Sequence, residues 1–482
     1  MIQSYQKVED FVMIQFGTGG FRGVIADDFT KANIQSIAQG IANIYKEREY
    51  HKPIIVGYDF RFCSKEASEW IAEVLSGNDI PVLLSSEPSP TPAVMQQSKV
   101  RDHEFGIMLT ASHNPYWFNG VKLFQKEGMD AEKSLTDELE KKIAEVKDIK
   151  VLPLEHALEK GKVSYLSILP PYLAYIEQFL HIKKAKKELK ILVDPIYGTG
   201  LLTLEPTLRK MGFENIKVIH NEHNPLFGGL LPNPVEKNMM ADKELLLKER
   251  FDICLGTDSD CDRLSILDEK GNFVDANEIL ASIYYYLVKY RGEKGDIIKN
   301  LATSNLVDAV ANKLGYKCHE ADVGFKNISS GIKEYDALLG GESSGGLTMR
   351  GYIYGKDSTF ASALFLEMVS NMDKPVSEIM KEVRDFASFK KVSYEDSITF
   401  ENKEKIKEAC RKSLPSFSEE GAVIKEINNN FKYYFPTGDW ALIRFSGTEP
   451  LIRIFVESEK KKEDCLKDIQ AIKDFVIQHD HN

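Results

Sequence analysis

Several things are scarce in this chain of 482 residues. Its six cysteines (Cys63, Cys254, Cys261, Cys318, Cys410 and Cys465) are scattered, and no two stand at C-x-x-C spacing. That argues against a thiolate zinc site or a redox pair and reads as reduced cytosolic thiols. No apolar run approaches the ~18 residues of a membrane helix, and MIQSYQKVED lacks a charged-then-apolar leader pattern. The expected location is the cytoplasm, with no membrane partner. Basic excess is missing too: 62 Lys and Arg stand against 73 Asp and Glu, a net charge of −11. Such a chain repels phosphate backbones, so no nucleic-acid partner is expected, and any anion pocket must be local. What is left is ordinary globular material, 43% hydrophobic and 28% charged, long enough for several domains.

Three segments share one plan of strand, polar turn, amphipathic helix and strand. They run from KPIIVGYDFR to DIPVLLS, from KILVDPIYGTG to NIKVIH, and from GDIIKNLATSN to KCHEADV. Repeated units of this kind predict parallel or mixed sheets with helices on both faces. Between the first two lies AEKSLTDELEKKIAEVKD, whose alternating charges predict a solvated helix and a boundary near residue 160. Past about residue 385 the pattern becomes strands followed by a closing helix, KKEDCLKDIQAIKDFVIQ. A small α+β domain with an antiparallel sheet is expected there.

Five motifs carry candidate chemistry. TASHNP, Thr110 to Pro115, ends the apolar run FGIML. It reads either as a turn, since Ser and Asn bond their own backbone and Pro fixes φ, or as Ser112 presented as a nucleophile beside a basic His113. GTDSDCDRLS follows the strand-like FDICL and sets Asp258, Asp260 and Asp262 two apart. An extended or gently looped chain then points all three carboxylates one way. Three such charges repel unless neutralised, and a hard cation, Mg²⁺ first, suits oxygen ligands. A calcium EF-hand fails, because Arg263 stands where that loop needs Gly and a strand precedes it. A solvated acidic turn remains the alternative.

FGTGGFRG does not match the dinucleotide pattern G-x-G-x-x-G. It reads as a plain turn, or as flexible amides plus Arg22 approaching a phosphate. GESSGG formally contains the G-x-S-x-G of hydrolases, but β-type residues follow instead of a helix. Glu342 and Ser344 offer a carboxylate and a hydroxyl for adjacent sugar hydroxyls, against the alternative of a Gly-rich hairpin. In RFSGTEPLIRIFVES, Arg444, Ser446, Gly447 and Thr448 supply a guanidinium, hydroxyls and amides suited to a phosphate monoester. Arg453 either joins them or flanks a strand. Lys122 in NGVK and Lys326 in DVGFKNI each read, singly, as solvated surface lysines.

In this order the five motifs resemble the α-D-phosphohexomutase superfamily, the phosphoglucomutases and phosphomannomutases, over almost the whole chain. TASHNP and GTDSDCDR are its most specific signatures here. The resemblance implies an α/β fold, three similar domains with mixed sheets plus a smaller C-terminal α+β domain around a central cleft. The expected boundaries are 1–162, 163–270, 271–384 and 385–482. It implies an isomerase acting on a hexose phosphate, Mg²⁺-dependent, with a phosphoserine and with glucose 1,6-bisphosphate as intermediate and activator. By resemblance, Ser112 carries the phosphoryl group and shares the Mg²⁺ with Asp258, Asp260 and Asp262. Arg22 and Arg263 hold phosphoryl oxygens, and His113 or Lys122 moves the proton. Glu342 and Ser344 grip the 3- and 4-hydroxyls, with Gly324 and Lys326 on the same side. Arg444, Ser446, Gly447, Thr448 and Arg453 anchor the phosphate that is not reacting. Gly346 stands where many phosphomannomutases have His, which favours glucose phosphates over mannose phosphates. Lys356, Asp357 and Ser358 replace the Lys-Asp-Gly of many relatives. The alternatives are a phosphomannomutase or dual-specificity enzyme, an amino-sugar phosphate mutase, and a non-catalytic sugar-phosphate binder.

Overall fold

The computed structural model describes residues 14–17, 20–183, 185–413, 421–446 and 450–481. The chain forms two compact units, Met1–Ile168 with Asn224–Leu231, and Leu169–His223 with Pro232–Asn482. The first unit is built on one sheet of β1 (Phe21–Val24), β2 (Ile54–Tyr58), β3 (Val82–Ser85), β4 (Gly106–Leu109), β5 (Phe118–Gln125), β6 (Met129–Asp130) and β7 (Val163–Leu166). Their order is β1-β5-β4-β2-β3-β7, with β6 on β5. β4, β2, β3 and β7 run parallel, and β5 runs antiparallel to both of its neighbours, β4 and β1. IIVGY and GIML are buried at every position, as strands of a helix-covered parallel sheet must be. The helix Lys133–Ala144 is not the solvated helix its charges suggest. Leu135 and Leu139, one turn apart, enter the core of the unit, and charge alternation on the other faces concealed that stripe.

The second unit holds three sheets. The first is β8 (Ile191–Asp194), β9 (Ile216–Val218), β10 (Ile253–Thr257), β11 (Leu264–Asp268) and β12 (Phe273–Val274), in the order β12-β11-β10-β8-β9. The next is β13 (Ile297–Asn300), β14 (Cys318–Ala321), β15 (Leu339–Gly341) and β16 (Leu347–Met349), in the order β14-β13-β15-β16. The three α/β sheets therefore repeat one motif. Two parallel neighbours lead to a third parallel strand, which turns back into an antiparallel one: β4 into β5, β10 into β11, β15 into β16. TASHNP, the aspartate run and GESSGG occupy these three hairpin turns, each at the carboxyl end of a parallel strand. Loops at that edge are where open α/β sheets carry ligands.

The last sheet is wholly antiparallel: β17 (Val392–Thr399), β18 (Val423–Ile427), β19 (Asn430–Tyr434), β20 (Trp440–Phe445) and β21 (Leu451–Ser458), in the order β17-β21-β20-β19-β18. Ile443, Ile452, Ile454 and Val456 face a core shared with Ile406 of the helix Lys403–Lys412 and Ile472 of Lys462–His481. On the opposite face Trp440, Leu442 and Phe455 pack with Leu301 and Ala302, just beyond β13. Buried Lys432 seals this seam, donating to Leu301 O at 2.8 Å and Glu320 Oε2 at 2.6 Å.

Candidate active site

Ser112 stands at the end of β4 with φ +51°, a left-handed conformation that lifts its side chain out of the strand's alternation. Its N–H donates to Thr110 Oγ1 at 2.9 Å, and that hydroxyl donates to Asp59 Oδ2 at 2.6 Å. Buried Arg61 threads the turn from beneath. Its guanidinium donates to Asn114 O (2.6 Å), Pro115 O (2.8 Å), Phe118 O (3.0 Å) and Ser112 O, and pairs with Asp59. Burial raises the Asp59 carboxyl while Arg61 pulls it down. His113 Nδ1 lies 3.5 Å from Ser112 Oγ, and Arg22 on β1 donates to Asn114 Oδ1. Lys122 lies inside β5 opposite Met108 and is 7% exposed, so its reading as a surface lysine is corrected. Gly20 of FGTGGFRG is required by close strand approach, since a Cβ there would stand 2.3 Å from Val121 O; on the facing strand β5, a Cβ at Gly120 would stand 2.2 Å from Phe21 O.

The aspartate run is a tight turn with Cys261 left-handed, tighter than the extended chain expected from the spacing. Asp258, Asp260 and Asp262 are buried and bring one carboxylate oxygen each within 4.8 Å of one another. Asp258 Oδ1 accepts from Asp262 N (2.9 Å) and Arg263 N (3.0 Å). Arg263 Nε lies 3.9 Å from Asp258 and 4.0 Å from Asp262, and Lys356 Nζ lies 3.2 Å from Asp262 Oδ1. Burial, then Asp262 and Asp260, push the Asp258 carboxyl up to about 8 in the face of these two cations. All-oxygen donors, convergent and under mutual repulsion, fit a hard divalent cation. Among the described residues this is the only cluster of three such groups.

GESSGG is a hairpin, as one of its two readings holds: Gly345 N donates to Glu342 O, and Glu342 N to Gly346 O. The same hairpin brings Glu342 and Ser344 together. Glu342 Oε1 accepts from Ser344 Oγ at 2.9 Å, and Oε2 from Asn300 Nδ2 at 3.1 Å. The turn docks on the exit of the aspartate loop, where Leu264 N donates to Gly345 O at 3.1 Å. A Cβ at Gly346 would stand 2.1 Å from Lys356 Cδ, so the Lys356 stem fills the space of any side chain there. Asp357 caps the helix Ser358–Met372 and accepts from the hydroxyls of Tyr172 and Tyr352. Gly324 precedes the helix Phe325–Tyr335, with Lys326 in its first turn, at the same sheet edge as Glu342 but two strands away.

Arg444 on β20 faces Arg453 on β21 across the ladder. Burial and Arg453 together lower the Arg444 guanidinium, and Glu342 and Glu395 oppose the shift. Ser446 follows, its N–H donating to Leu451 O at 2.8 Å, while Gly447 and Thr448 lie outside the described residues. Sequence reasoning missed Glu395, whose Oε1 lies 3.8 Å from Arg453 Nη1. About half of its side chain is open (49%), yet desolvation raises its carboxyl, and Arg453, Arg444 and Arg263 oppose the shift. Asp59, Arg61, Asn300 and Lys356 were also missed as supports; only DFR, a charged pair directly after a buried strand, hinted at the first two.

Comparison with known proteins matches this arrangement to four domain profiles. They are phosphoglucomutase/phosphomannomutase alpha/beta/alpha domain I at residues 13–150, domain II at 170–271, domain III at 275–386, and the C-terminal domain at 379–471. A phosphoglucomutase/phosphomannomutase of Thermococcus kodakarensis is 28% identical over 94% of this chain and 96% of its own length. A phosphoglucosamine mutase of Acetivibrio thermocellus is also 28% identical, over 92% and 95%. A solved Thermus thermophilus structure, provisionally named a phosphomannomutase, superposes with a TM-score of 0.81 at 26% identity, covering 95% of this chain and 99% of that one. With all four domains matched in order, the chain belongs to the phosphoglucomutase/phosphomannomutase family of α-D-phosphohexomutases and is an isomerase of that class.

Proposed function

We propose that the protein is a phosphoglucomutase, interconverting α-D-glucose 1-phosphate and glucose 6-phosphate in the cytoplasm through a phosphoserine and glucose 1,6-bisphosphate. The observation that carries the reading is the presentation of Ser112. A serine held left-handed at a strand end, its carbonyl pinned by Arg61 and its Oγ beside an imidazole, is built to take and return a group at fixed geometry. In this reading Ser112 Oγ passes its phosphoryl group to a hexose monophosphate, and the bisphosphate turns end for end before the other phosphate returns to Ser112. His113 or Lys122 holds the proton exchanged with the sugar hydroxyl. Asp258, Asp260 and Asp262 would hold Mg²⁺, which when bound withdraws charge from the transferring phosphoryl group.

Arg22 and Arg263 steady phosphoryl oxygens. Glu342, braced by Ser344 and Asn300, accepts from the 3- and 4-hydroxyls, which approximately exchange places in the flip; Gly324 and Lys326 line that side. Arg444 and Arg453 with Ser446, Gly447 and Thr448 anchor the idle phosphate, so binding energy remote from the reaction orients the reacting end. The preference for glucose rests on Gly346, whose side-chain space Lys356 fills. A second reading, a phosphoglucosamine mutase, is favoured by the equal identity to the Acetivibrio thermocellus relative.

Coupled assays with glucose 1-phosphate, mannose 1-phosphate and glucosamine 1-phosphate, each with Mg²⁺ and a trace of its bisphosphate, separate these. The expected result is a kcat/KM for glucose at least about tenfold above glucosamine. Turnover of glucosamine 1-phosphate alone would replace the reading with the second one.

A further inference from the structure

The three α/β sheets repeat a feature besides their hairpins. The parallel strand beside each hairpin leads into Asp59, Asp194 or Asn300, whose side-chain oxygen accepts the N–H two residues on: Arg61 at 2.9 Å, Ile196 at 2.7 Å, Ala302 at 3.0 Å. In the first sheet that turn delivers Arg61 to the Ser112 carbonyl, and in the third Asn300 itself holds Glu342. The second sheet should therefore carry a corresponding brace for its own hairpin, the aspartate turn.

Residues 195–200 supply it. Ile196 and Tyr197 stand left-handed at φ +45° and +56°, a conformation a β-branched residue adopts only when its surroundings impose it. The root is Asp194, which accepts from Ile196 N and pairs with His220 Nδ1 at 2.9 Å; the Tyr197 ring lies 4.7 Å from the His220 ring. Beyond the turn, Gly198 runs so close to the aspartate loop that a Cβ would stand 2.6 Å from Ser259 Cα and 2.9 Å from Asp258 O. Thr199 then donates both N–H (2.9 Å) and hydroxyl (3.1 Å) to Ser259 O. Ser259 is the residue between Asp258 and Asp260, so its carbonyl fixes where both carboxylates leave the backbone.

We propose that residues 195–200, rooted by Asp194 and His220, are a positioning element that sets the spacing of Asp258, Asp260 and Asp262 and thereby the metal affinity. The inference rests on the metal reading of that triad. Three buried like charges splay apart unless their backbone is held, and outer partners of metal ligands change affinity by about 10–100-fold when removed.

The test is Mn²⁺ binding to the full chain, followed by electron paramagnetic resonance, in wild type, Gly198→Ala, Thr199→Val, Asp260→Asn and Thr207→Val. Thr207 is a buried threonine on the helix Leu204–Lys210 and controls for the loss of a buried hydroxyl. Asp260→Asn should abolish binding, Gly198→Ala weaken it about tenfold or more, and Thr199→Val about threefold, with Thr207→Val unchanged. Thr207 Oγ1 is buried without a hydrogen-bond partner, so Thr207→Val should melt at or above wild type and Thr199→Val slightly below it, and Thr199→Val carries the test if Gly198→Ala does not fold. Wild-type affinity in Gly198→Ala and Thr199→Val, with binding lost in Asp260→Asn, would overturn the positioning role alone. Mn²⁺ binding indifferent to Asp260→Asn would overturn the metal reading and this inference with it.

Discussion

Replacing Asp260 by Asn should stabilise the metal-free protein while removing its response to Mg²⁺. The carboxylate oxygens of the triad lie within 4.8 Å of one another. At that separation and an effective dielectric of ~20, each like-charge pair costs ~3.5 kcal/mol or more. With Asp258 pushed up to about 8, the triad holds a proton at pH 7, which leaves essentially one charged pair that includes Asp260. Arg263 and Lys356, both beside Asp262, reduce that repulsion, so the net relief is about 2 kcal/mol. Asp260 is the informative position, because Asp258 also caps two backbone N–H groups and Asp262 pairs with Lys356. Thermal melts at pH 7.5, in EDTA and in millimolar Mg²⁺, read the outcome. In EDTA the variant should melt a few degrees above wild type. Mg²⁺ should raise the wild-type midpoint by linkage and leave the variant unmoved. A variant that melts below wild type in EDTA, or one that Mg²⁺ stabilises as much as wild type, would refute the reasoning.

Three further expectations follow from charged side chains. Arg61→Lys keeps a cation beside Asp59 but loses the fork that holds four carbonyls of the Ser112 turn, so steady-state kinetics should show kcat down about 10²-fold with KM nearly constant. Glu395→Gln removes the resident anion beside Arg453, so KM for a hexose phosphate at low ionic strength should fall about threefold; a higher KM would contradict its counter-ion role. Asp357, fully buried, is held up at about 6 chiefly by desolvation, against an ordinary 3.8. A raised carboxyl contributes stability below its unfolded value that is lost as pH rises through the folded one, here between about pH 4 and 6. Asp357→Asn should lack that loss, so its stability relative to wild type should improve by up to about 3 kcal/mol from pH 4 to pH 7, measured by urea unfolding.

Much of this architecture was legible because it is local. Each repeat declares itself by an apolar strand, a turn and an amphipathic helix, and the three chemical hairpins are short runs whose residues act on their neighbours in sequence. What escaped is what acts across the sheet. Arg61 serves a turn some fifty residues on, through carbonyls that no side-chain pattern reveals. Lys122 looked exposed because it breaks an apolar run, yet β5 is buried at every interior position, so period-two alternation gave no sign of its face. The helix Lys133–Ala144 failed for the opposite reason, two leucines among many charges being enough to anchor it. Glu395 meets Arg453 only through the pairing of β17 with β21, strands far apart in the chain, and Lys356 reaches Asp262 from the neighbouring sheet's segment, so neither partner could be read from the local sequence.

The central claim is that a phosphoryl group passes through Ser112. Incubating the protein with glucose 1,6-bisphosphate labelled in its phosphates, then digesting it and locating the label by mass spectrometry, tests this directly. The label should sit on the peptide bearing TASHNP, at Ser112, and leave as hexose monophosphate when unlabelled glucose 1-phosphate is added; Ser112→Ala should take up none. Isomerisation in a protein whose Ser112 never acquires label, or full turnover by Ser112→Ala, would contradict the account.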